Sequence, residues 1–277
     1  MGLTRNWWRN SRQKPKIFST CQWKKRKRYW QTSTEVEGFG QAFAVSEEQK
    51  LDWADIFYLT TQPKHLRKPN LLPMLPLPYR DTLESYSLEL QNLAMNILDC
   101  MSKALNIDNG IMKAVFENEG TQSLRMNYYP QCPQPDKVIG LTPHSDSVAV
   151  TILLQFDETE GLQIMKDKKW VPVKSLPDAF VVNIGDIMEI LSNGMYKSIL
   201  HRAVVDETKA RISVAAFHNP ALDKEIGPIP DLVTPGTPAR FRSTSMIDYM
   251  KQLFTRVLDG KSYLDYMRIN ENATSWN

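Results

Sequence analysis

The spacing of apolar residues changes near residue 120 of this chain. Before that point, apolar residues recur at intervals of three, four and seven, which predicts one long amphipathic helix over about 81–106. Asp81 and Glu84 have the spacing of a capping box at its start. The preceding stretch, 69–81, contains four prolines and is therefore expected to be a connector rather than a helix or a central strand.

From about residue 122, short apolar runs alternate with Gly, Pro, Asn and Asp. The runs are SLRMNYY, VAVTILLQF, LQIM, WVPV, FVVNIG, SILHRAVV and RISVAAF. Many short strands at close spacing predict a sandwich or barrel of the jelly-roll kind. Upstream, 36–45 suits a strand or an irregular segment beside a pocket, and 51–59 is expected to be buried. Helical spacing returns over about 245–258, so we expect a mostly β core with flanking α-helices.

Composition adds few constraints. The 277 residues are 42% hydrophobic and 23% charged, as in ordinary globular proteins, and no apolar run approaches the roughly 18 residues of a membrane span. The start of the chain does not resemble a secretory signal. Three isolated cysteines, Cys21, Cys100 and Cys132, fit a reducing compartment and argue against a disulfide framework. We expect a cytoplasmic monomer without a membrane segment.

The net charge of +3 conceals a strong asymmetry. Residues 1–28 carry ten Lys or Arg and no acid, whereas the remainder carries 24 bases and 31 acids, a net charge of −7. The basic run from Lys24 to Arg28 is open to three interpretations: a nuclear-localisation or nucleic-acid patch, an organelle transit peptide, or a solvated tail. Because the body of the protein is acidic, we expect no nucleic-acid binding.

We favour a fourth interpretation, in which residues 1–28 are a translation of the wrong reading frame. The single Trp codon fixes part of the neighbouring frame, where Trp7-Trp8 must give Val and Trp23-Lys24 must give Glu. Permitted codons allow the string LVEEFKTEAKDFFNLPMEEKK, which is acid-balanced and has apolar residues at helical spacing. Sequencing the transcript across codons 1–35 tests this hypothesis, and an intact frame without a nearby insertion or deletion contradicts it.

Two of the four histidines lie in a context that suggests a metal site. His144 and Asp146 are two residues apart in PHSDS, so an extended segment places both side chains on one face. His201 lies in KSILHRAVV, which predicts a neighbouring strand. Two imidazoles and one carboxylate on one face are typical of non-haem Fe(II) oxygenases. His65 is expected to be exposed, and His218 to be structural or pocket-lining.

Arg211 and Ser213 follow His201 by ten and twelve residues and share one face of the predicted strand RISVAAF. An Arg that pointed into a barrel without a partner would be a costly buried cation. A dicarboxylate ligand resolves this problem, because its far carboxylate can accept the guanidinium fork and a hydrogen bond from Ser213. H-x-D alone is a weak signal, and R-x-S alone favours an outward-facing Arg. Together, in this order and spacing, they are much more specific.

The chain resembles the plant iron(II)- and 2-oxoglutarate-dependent dioxygenases of specialised metabolism from about Arg28 to Ile269. The resemblance is strongest to alkaloid O-demethylases and to the senescence-related, flavonoid-synthase-like branch. The matching stretches include EGFGQAF, LRMNYYPQCPQPD, GLTPHSD, NIGDIMEILSNGMYKSILHR, ARISVAAFHNP and LDGKSYLDYMRI. It implies a double-stranded β-helix, or jelly roll, whose core spans 120–220. A partial N-terminal helical and strand region at 29–119 precedes this core, and a C-terminal extension with a helix at 221–277 follows it.

The resemblance also implies roles for individual residues. Fe(II) would be held by His144, Asp146 and His201. The cosubstrate 2-oxoglutarate would be held by Asn127, Tyr129, Arg211 and Ser213. Three further residues match positions that line the substrate pocket: Phe39, Arg125 and Phe217. For Phe39, ordinary core packing is an equally good interpretation.

An enzyme of this kind uses O2 and the oxidative decarboxylation of 2-oxoglutarate to hydroxylate, desaturate or O-demethylate a small molecule, with ascorbate as reductant. Three alternatives stay open. One is a truncated, inactive dioxygenase, because the family carries a further N-terminal segment that covers one side of the barrel. Another is a cupin-like metal protein without 2-oxoglutarate chemistry, against which R-x-S and N-x-Y argue. The last is a related oxidase that uses ascorbate in place of 2-oxoglutarate.

Overall fold

The structure is a computed structural model. It describes residues 27–32, 35–40, 51–72, 75, 77–116, 119–254 and 260–269. The reading-frame and basic-patch hypotheses for residues 1–28 therefore concern a segment that lies outside the described residues, except for its last two. The same holds for half of the predicted segment 36–45, of which only the first five residues are described.

Helices flank the β core in the described part of the chain. Their bounds are Leu77–Ala104 (α1), Asn109–Phe116 (α2), Asp186–Leu191 (α3), Met246–Phe254 (α4) and Ser262–Met267 (α5). Among the described residues, none of these helices is both long enough and apolar enough to cross a membrane. Helix α5 is not anticipated by the apolar spacing, and the predicted tail helix over 245–258 is described only as far as Phe254.

Helix α1 begins four residues before the predicted start at Asp81, so excluding helix from all of 69–81 was wrong. Pro78 lies in the first turn, where a missing backbone N–H forfeits no intrahelical hydrogen bond. The capping-box prediction was also wrong. Glu84 lies well inside the helix and accepts a hydrogen bond from Arg67 Nη2 at 3.1 Å instead.

The strands form two main antiparallel sheets. Their bounds are Gly38–Phe39 (β1), Asp55–Gln62 (β2), Gly120–Tyr129 (β3), Leu141–His144 (β4), Val150–Gln155 (β5), Leu162–Lys166 (β6), Lys169–Pro172 (β7), Val181–Ile184 (β8), His201–Ala203 (β9), Arg211–Ala221 (β10), Glu225–Ile226 (β11) and Thr244–Ser245 (β12). One sheet has the order β1-β2-β3-β10-β5-β8 and the other β4-β9-β6-β7. The predicted mostly β jelly roll with flanking helices is confirmed.

The two faces of the six-stranded sheet differ in what they bury. Alternate residues of β2, β3, β5 and β10 pack with α1 in the large hydrophobic core, among them Phe57, Leu124 and Ile152, which are all fully buried. The other face looks toward the four-stranded sheet and carries most of the polar side chains considered below. Because successive strand residues alternate between faces, residues two apart on β3 and β10 reach the same cavity.

Strand β9 is shorter than the predicted run SILHRAVV, because only His201–Ala203 pair as a strand. The residues before β9 follow a tight turn in which Asn193 and Gly194 both have positive φ, at 50° and 79°. Positive φ is the reason that Asn and Gly suit this turn. After this turn the chain enters β9, where His201 lies opposite His144 on β4.

Candidate metal and cosubstrate site

His144, Asp146 and His201 come together as a buried cluster between the two sheets. The two histidines are directly paired across β4 and β9, with ring centroids 4.4 Å apart. Asp146 Oδ1 lies 3.6 Å from His144 Nε2 and 3.7 Å from His201 Nε2. One ligand atom from each residue lies within 4.8 Å of the others. Within the described part of the chain, no other group of three His, Cys, Asp or Glu side chains is gathered as this one is.

Backbone carbonyls fix which ring nitrogen of each histidine faces the cluster. His144 Nδ1 is 2.7 Å from Thr142 O, and His201 Nδ1 is 3.1 Å from Ile199 O. A carbonyl oxygen can only accept a hydrogen bond, so each Nδ1 carries the proton and each Nε2 offers a lone pair. Nε2 of His144 is buried and has no hydrogen-bond partner. This orientation by an outer partner is the usual arrangement of metal-binding histidines.

The electrostatics of the cluster favour a cation. Burial alone would raise the pKa of Asp146, but His201, His144 and Thr151 outweigh it and hold that pKa well below its usual range. Burial lowers the pKa of His201 to about 4, so its imidazole is neutral at physiological pH. The cluster thus combines one carboxylate with two imidazoles, which is the donor set of a 2-His-1-carboxylate metal site.

Asp146 is held by two further contacts that the sequence pattern did not reveal. Thr151 Oγ1 donates a hydrogen bond to Asp146 Oδ2 at 2.8 Å. The backbone N–H of Asp186 donates to the Asp146 carbonyl oxygen at 2.8 Å. The only sequence signal for Thr151 is a hydroxyl residue five positions after an H-x-D pair, which has no meaning until the strand register is known.

Arg211 is buried at the first position of β10. Its Nη2 donates to Gln155 Oε1 at 2.7 Å, and its guanidinium carbon lies 5.2 Å from the centre of the Tyr129 ring. Its Nε is buried without a hydrogen-bond partner. No carboxylate among the described residues forms an ion pair with it. Gln155 is a partner that the sequence pattern does not reveal, and it is neutral. The Asp157 carboxylate senses the Arg211 charge without an ion pair, since burial raises the pKa of Asp157 and the Arg211 charge lowers it.

The other predicted cosubstrate residues surround Arg211. In the β3–β10 pairing, Tyr129 is opposite Arg211 and Asn127 is opposite Ser213. Asn127 Nδ2 lies 3.3 Å from Ser213 Oγ, while Asn127 Oδ1 is buried and unpartnered. The structure therefore brings these four residues together, with unused hydrogen-bonding capacity on a buried guanidinium. That is what a carboxylate-bearing ligand requires.

Of the three predicted substrate-pocket residues, two line the cavity. Arg125 and Phe217 lie further along β3 and β10, with the Arg125 guanidinium carbon 5.4 Å from the Phe217 ring centre. Phe39 does not join them. Its ring packs against Phe57 with centroids 4.6 Å apart, inside the main hydrophobic core. The interpretation of Phe39 as core packing fits this position.

Apart from His144, Gln155 and the core residues Phe39 and Phe57, these side chains border one cavity of about 390 Å³, part of which is open to solvent. The remaining walls are largely apolar, with Leu141, Leu153, Leu162 and Ala215. Gly161 is needed here for room, because a Cβ at that position would lie 2.6 Å from Arg211 Cδ. The shape and the mixed lining are typical of a small-molecule site.

Comparison with known proteins identifies the same region. Residues 120–220 match the family model described as the 2OG-Fe(II) oxygenase superfamily. The chain is 56% identical to Protein SRG1 of Arabidopsis thaliana over 91% of its own length and 71% of that protein. It is 52% identical to the oxoglutarate-dependent flavonoid 7-O-demethylase 1 of Ocimum basilicum, over 88% of the chain and 65% of that protein.

Two further comparisons extend this result. The chain is 55% identical to thebaine 6-O-demethylase of Papaver somniferum, over 87% of the chain and 67% of that protein. The crystal structure of JOX2 in complex with 2OG, Fe and JA superposes with a TM-score of 0.89 at 34% identity, over 97% of this chain and 78% of JOX2. The chain belongs to the 2OG-Fe(II) oxygenase superfamily, as an iron(II)- and 2-oxoglutarate-dependent dioxygenase of the plant branch that includes these O-demethylases.

Proposed function

We propose that this dioxygenase removes an O-methyl group from a small plant metabolite of specialised metabolism. The observation that carries the proposal is one cavity bordered by Asp146 and His201 of the metal-ligand cluster and by the buried Arg211, which forms no ion pair among the described residues. The names of the relatives agree on the type of reaction but differ in the substrate. One is named for a flavonoid and another for thebaine, yet both are named as O-demethylases. Hydroxylation or desaturation is the alternative outcome of the same site.

His144, Asp146 and His201 would hold Fe(II) through two Nε2 atoms and a carboxylate oxygen. When bound, the iron supplies the oxidising power that O2 and 2-oxoglutarate direct at a substrate C–H bond. The protein's own contribution is charge and orientation. The carbonyls of Thr142 and Ile199 keep both rings with Nε2 toward the cluster. Burial keeps the site free of water that would compete for the metal.

The cosubstrate would lie between the metal and Arg211. Its far carboxylate would accept hydrogen bonds from the Arg211 guanidinium and the Ser213 hydroxyl, with Tyr129 and Asn127 beside them. This assignment is supported by the buried Nε of Arg211, which has no partner, and by the absence of any ion pair to this Arg among the described residues. Gln155 holds Nη2 at 2.7 Å and so orients the guanidinium plane.

The substrate would enter from the Phe217 and Arg125 end of the cavity. Phe217 offers an aromatic face for a flat, apolar ring system, and Arg125 offers hydrogen-bond donors at its edge. Leu153 and Leu162 add apolar walls to the same cavity. We further propose that the protein is a cytoplasmic monomer that binds no nucleic acid and uses ascorbate as a reductant.

The first experiment is an anaerobic titration of the full chain with Fe(II) and 2-oxoglutarate, followed by visible absorption. A metal-to-ligand charge-transfer band is expected in the wild type and not in His201→Ala. His65→Ala is the matched control, because His65 is exposed and far from the cluster in the fold. A folded wild type without the band contradicts the proposed metal site.

The second experiment tests the outcome of the reaction. Methoxylated flavonoids and methoxylated alkaloids are supplied with Fe(II), 2-oxoglutarate, O2 and ascorbate. Demethylation converts one O-methyl group, one O2 and one 2-oxoglutarate into a hydroxyl group, formaldehyde, succinate and CO2. Formaldehyde and succinate in equal amounts are expected with one of these classes. Succinate with an oxidised product but no formaldehyde would favour hydroxylation or desaturation.

A further inference from the structure

Asp146 presents its two carboxylate oxygens to different surroundings. Oδ1 faces the two histidines, at 3.6 Å from His144 Nε2 and 3.7 Å from His201 Nε2. Oδ2 turns away from them and lies 2.8 Å from Thr151 Oγ1. Because an ionised carboxylate can only accept, the Thr151 hydroxyl is the donor. No other side chain among the described residues is seen to donate to Oδ2.

The Thr151 side chain has little freedom to do anything else. It is the second residue of β5 and is 2% exposed. The ladder fixes it from both sides, opposite Phe217 on β10 and opposite Asn183 on β8. A β-branched side chain in a strand is restricted about χ1. The hydroxyl is therefore held at one place by two neighbouring strands before any ligand binds.

We propose that Thr151 is a positioning residue that makes Asp146 a one-oxygen ligand. This inference rests on the proposed metal site. Thr151 donates its hydrogen bond to Oδ2, so Asp146 would offer Oδ1 alone to the metal and would not occupy a second coordination position. The carboxylate torsion of Asp is intrinsically broad. A directed hydrogen bond is what selects one of its orientations.

Three substitutions separate this role from a merely structural one. Thr151→Val removes the hydroxyl and keeps the shape, while Thr151→Ser restores a hydroxyl on a smaller side chain. Thr61→Val is the matched control, because Thr61 is also 2% exposed and its Oγ1 donates to Gln122 Oε1 at 2.6 Å, in a polar cluster that does not border the cavity. Both Val variants thus lose one buried hydroxyl with a side-chain hydrogen bond.

Binding of Mn(II) alone is measured by the electron paramagnetic resonance signal of the free ion, with no turnover required. Thr151→Val is expected to bind Mn(II) about 10- to 100-fold more weakly, as is usual when an outer partner of a metal ligand is lost. Thr151→Ser is expected to recover most of this affinity. Thr61→Val is expected to lower the midpoint of thermal unfolding but to bind Mn(II) like the wild type.

The charge-transfer band with Fe(II) and 2-oxoglutarate is the second readout. It is expected to shift or weaken in Thr151→Val and to be unchanged in Thr61→Val. Equal Mn(II) affinity and an equal band in both Val variants would overturn the role of Thr151. Should Thr151→Val fail to fold, Thr151→Ala takes its place in the same assays. A wild type that binds no Mn(II) or Fe(II) contradicts the proposed function itself, which is a separate outcome.

Discussion

Two buried carboxylates, those of Glu189 and Asp146, differ in the charges that surround them. Glu189, on α3, is completely buried, accepts the Ser198 N–H at 2.8 Å, and is surrounded by cations. Lys261 Nζ lies 3.2 Å and Arg268 Nη2 2.8 Å from its oxygens. Burial would raise the pKa of Glu189, but the hydrogen bonds and these cations lower it. Its negative charge is balanced by the protein.

Asp146 and Arg211 in the cavity differ from Glu189, because neither forms an ion pair with a Lys, Arg, Asp or Glu side chain among the described residues. Asp146 faces two imidazoles, and burial keeps that of His201 neutral at physiological pH. Arg211 contacts a neutral amide and an aromatic ring. Burial raises the pKa of Asp157 and the Arg211 charge lowers it, although the two form no ion pair. Burying an ionised group without a paired opposite charge costs free energy. Under the proposed function, a bound cation at Asp146 and a bound anion at Arg211 would supply that charge.

Asp146→Asn is expected to have the largest effect among the substitutions that test this difference between Asp146 and Glu189. The variant loses one of three ligands and the only negative charge of the cluster, so its affinity for Fe(II) is expected to fall more than about a hundredfold, beyond the loss typical of an outer partner. Because the variant no longer buries an unbalanced charge, its unfolding free energy without metal is expected to equal or exceed that of the wild type. Metal titration and urea denaturation measure the two effects. Weaker binding that only follows a loss of stability would contradict the contrast.

Glu189→Gln is expected to behave in the reverse manner. The amide keeps the shape but leaves Lys261 and Arg268 without a negative partner, and the unfolding free energy should fall by about 2 kcal/mol, within the range for a broken buried hydrogen-bonded pair. Urea denaturation without metal measures this change. Metal affinity of the folded variant should stay close to that of the wild type, and a large loss of affinity would show that the cluster is not purely structural.

Gly161→Ala tests whether Arg211 binds the anionic cosubstrate. A Cβ at this position would lie 2.6 Å from Arg211 Cδ and 3.0 Å from the Val204 carbonyl oxygen, so the Arg211 side chain has to move. We expect the affinity for 2-oxoglutarate to fall about tenfold, or about 1.4 kcal/mol, while Mn(II) binding is retained. Isothermal titration with each ligand separates the two. A parallel loss of both affinities would mean that the substitution disturbs the whole barrel.

The smallest expected effect concerns His218, which is buried on the other face of β10 from the cavity. Burial lowers the pKa of His218 to about 4, from an ordinary value near 6.5. Between pH 6.5 and 4, His218 is therefore protonated in the unfolded chain but not in the folded chain. Its contribution to the unfolding free energy is complete above pH 6.5 and is lost as the pH falls toward 4. His218→Gln should remove about one proton from the pH dependence of unfolding between pH 6.5 and 4. An unchanged slope would contradict the neutral, buried state of His218.

Much of the site could be predicted from the sequence because strand geometry is regular. The spacing of two in Arg211–Ser213 places both side chains on one face of β10. The same spacing in His144–Asp146 pointed to the right pair, although Asp146 lies two residues beyond the end of β4 and its position also depends on the irregular segment there. The contacts between strands could not be predicted in this way. Thr151 on Asp146, Gln155 on Arg211 and the space left by Gly161 all depend on the register between strands, which no local pattern contains.

The fold shows the same division between local and tertiary information. The core strands follow from their apolar runs, but the start of α1 at Leu77 does not, because a proline that excludes a helix interior is acceptable in its first turn. Glu189 lies in DIMEIL, a six-residue helix whose residues are all buried. Its role depends on Lys261 and Arg268, more than seventy residues away, which local spacing cannot connect.

The pairing of β3 with β10 has a consequence for how such an enzyme diversifies. Arg211 and Tyr129 face each other at one end of this ladder, and Ala215 faces Arg125 four residues further on. In the proposed arrangement, this spacing of four residues along β3 and β10 would set the distance between the cosubstrate and the substrate. Exchanging side chains at the far end changes what is accepted, whereas inserting one residue in between would turn every later side chain to the wrong face. Substitutions at the far end can therefore change substrate specificity during evolution, but the number of residues between the two ends of the ladder has to stay the same.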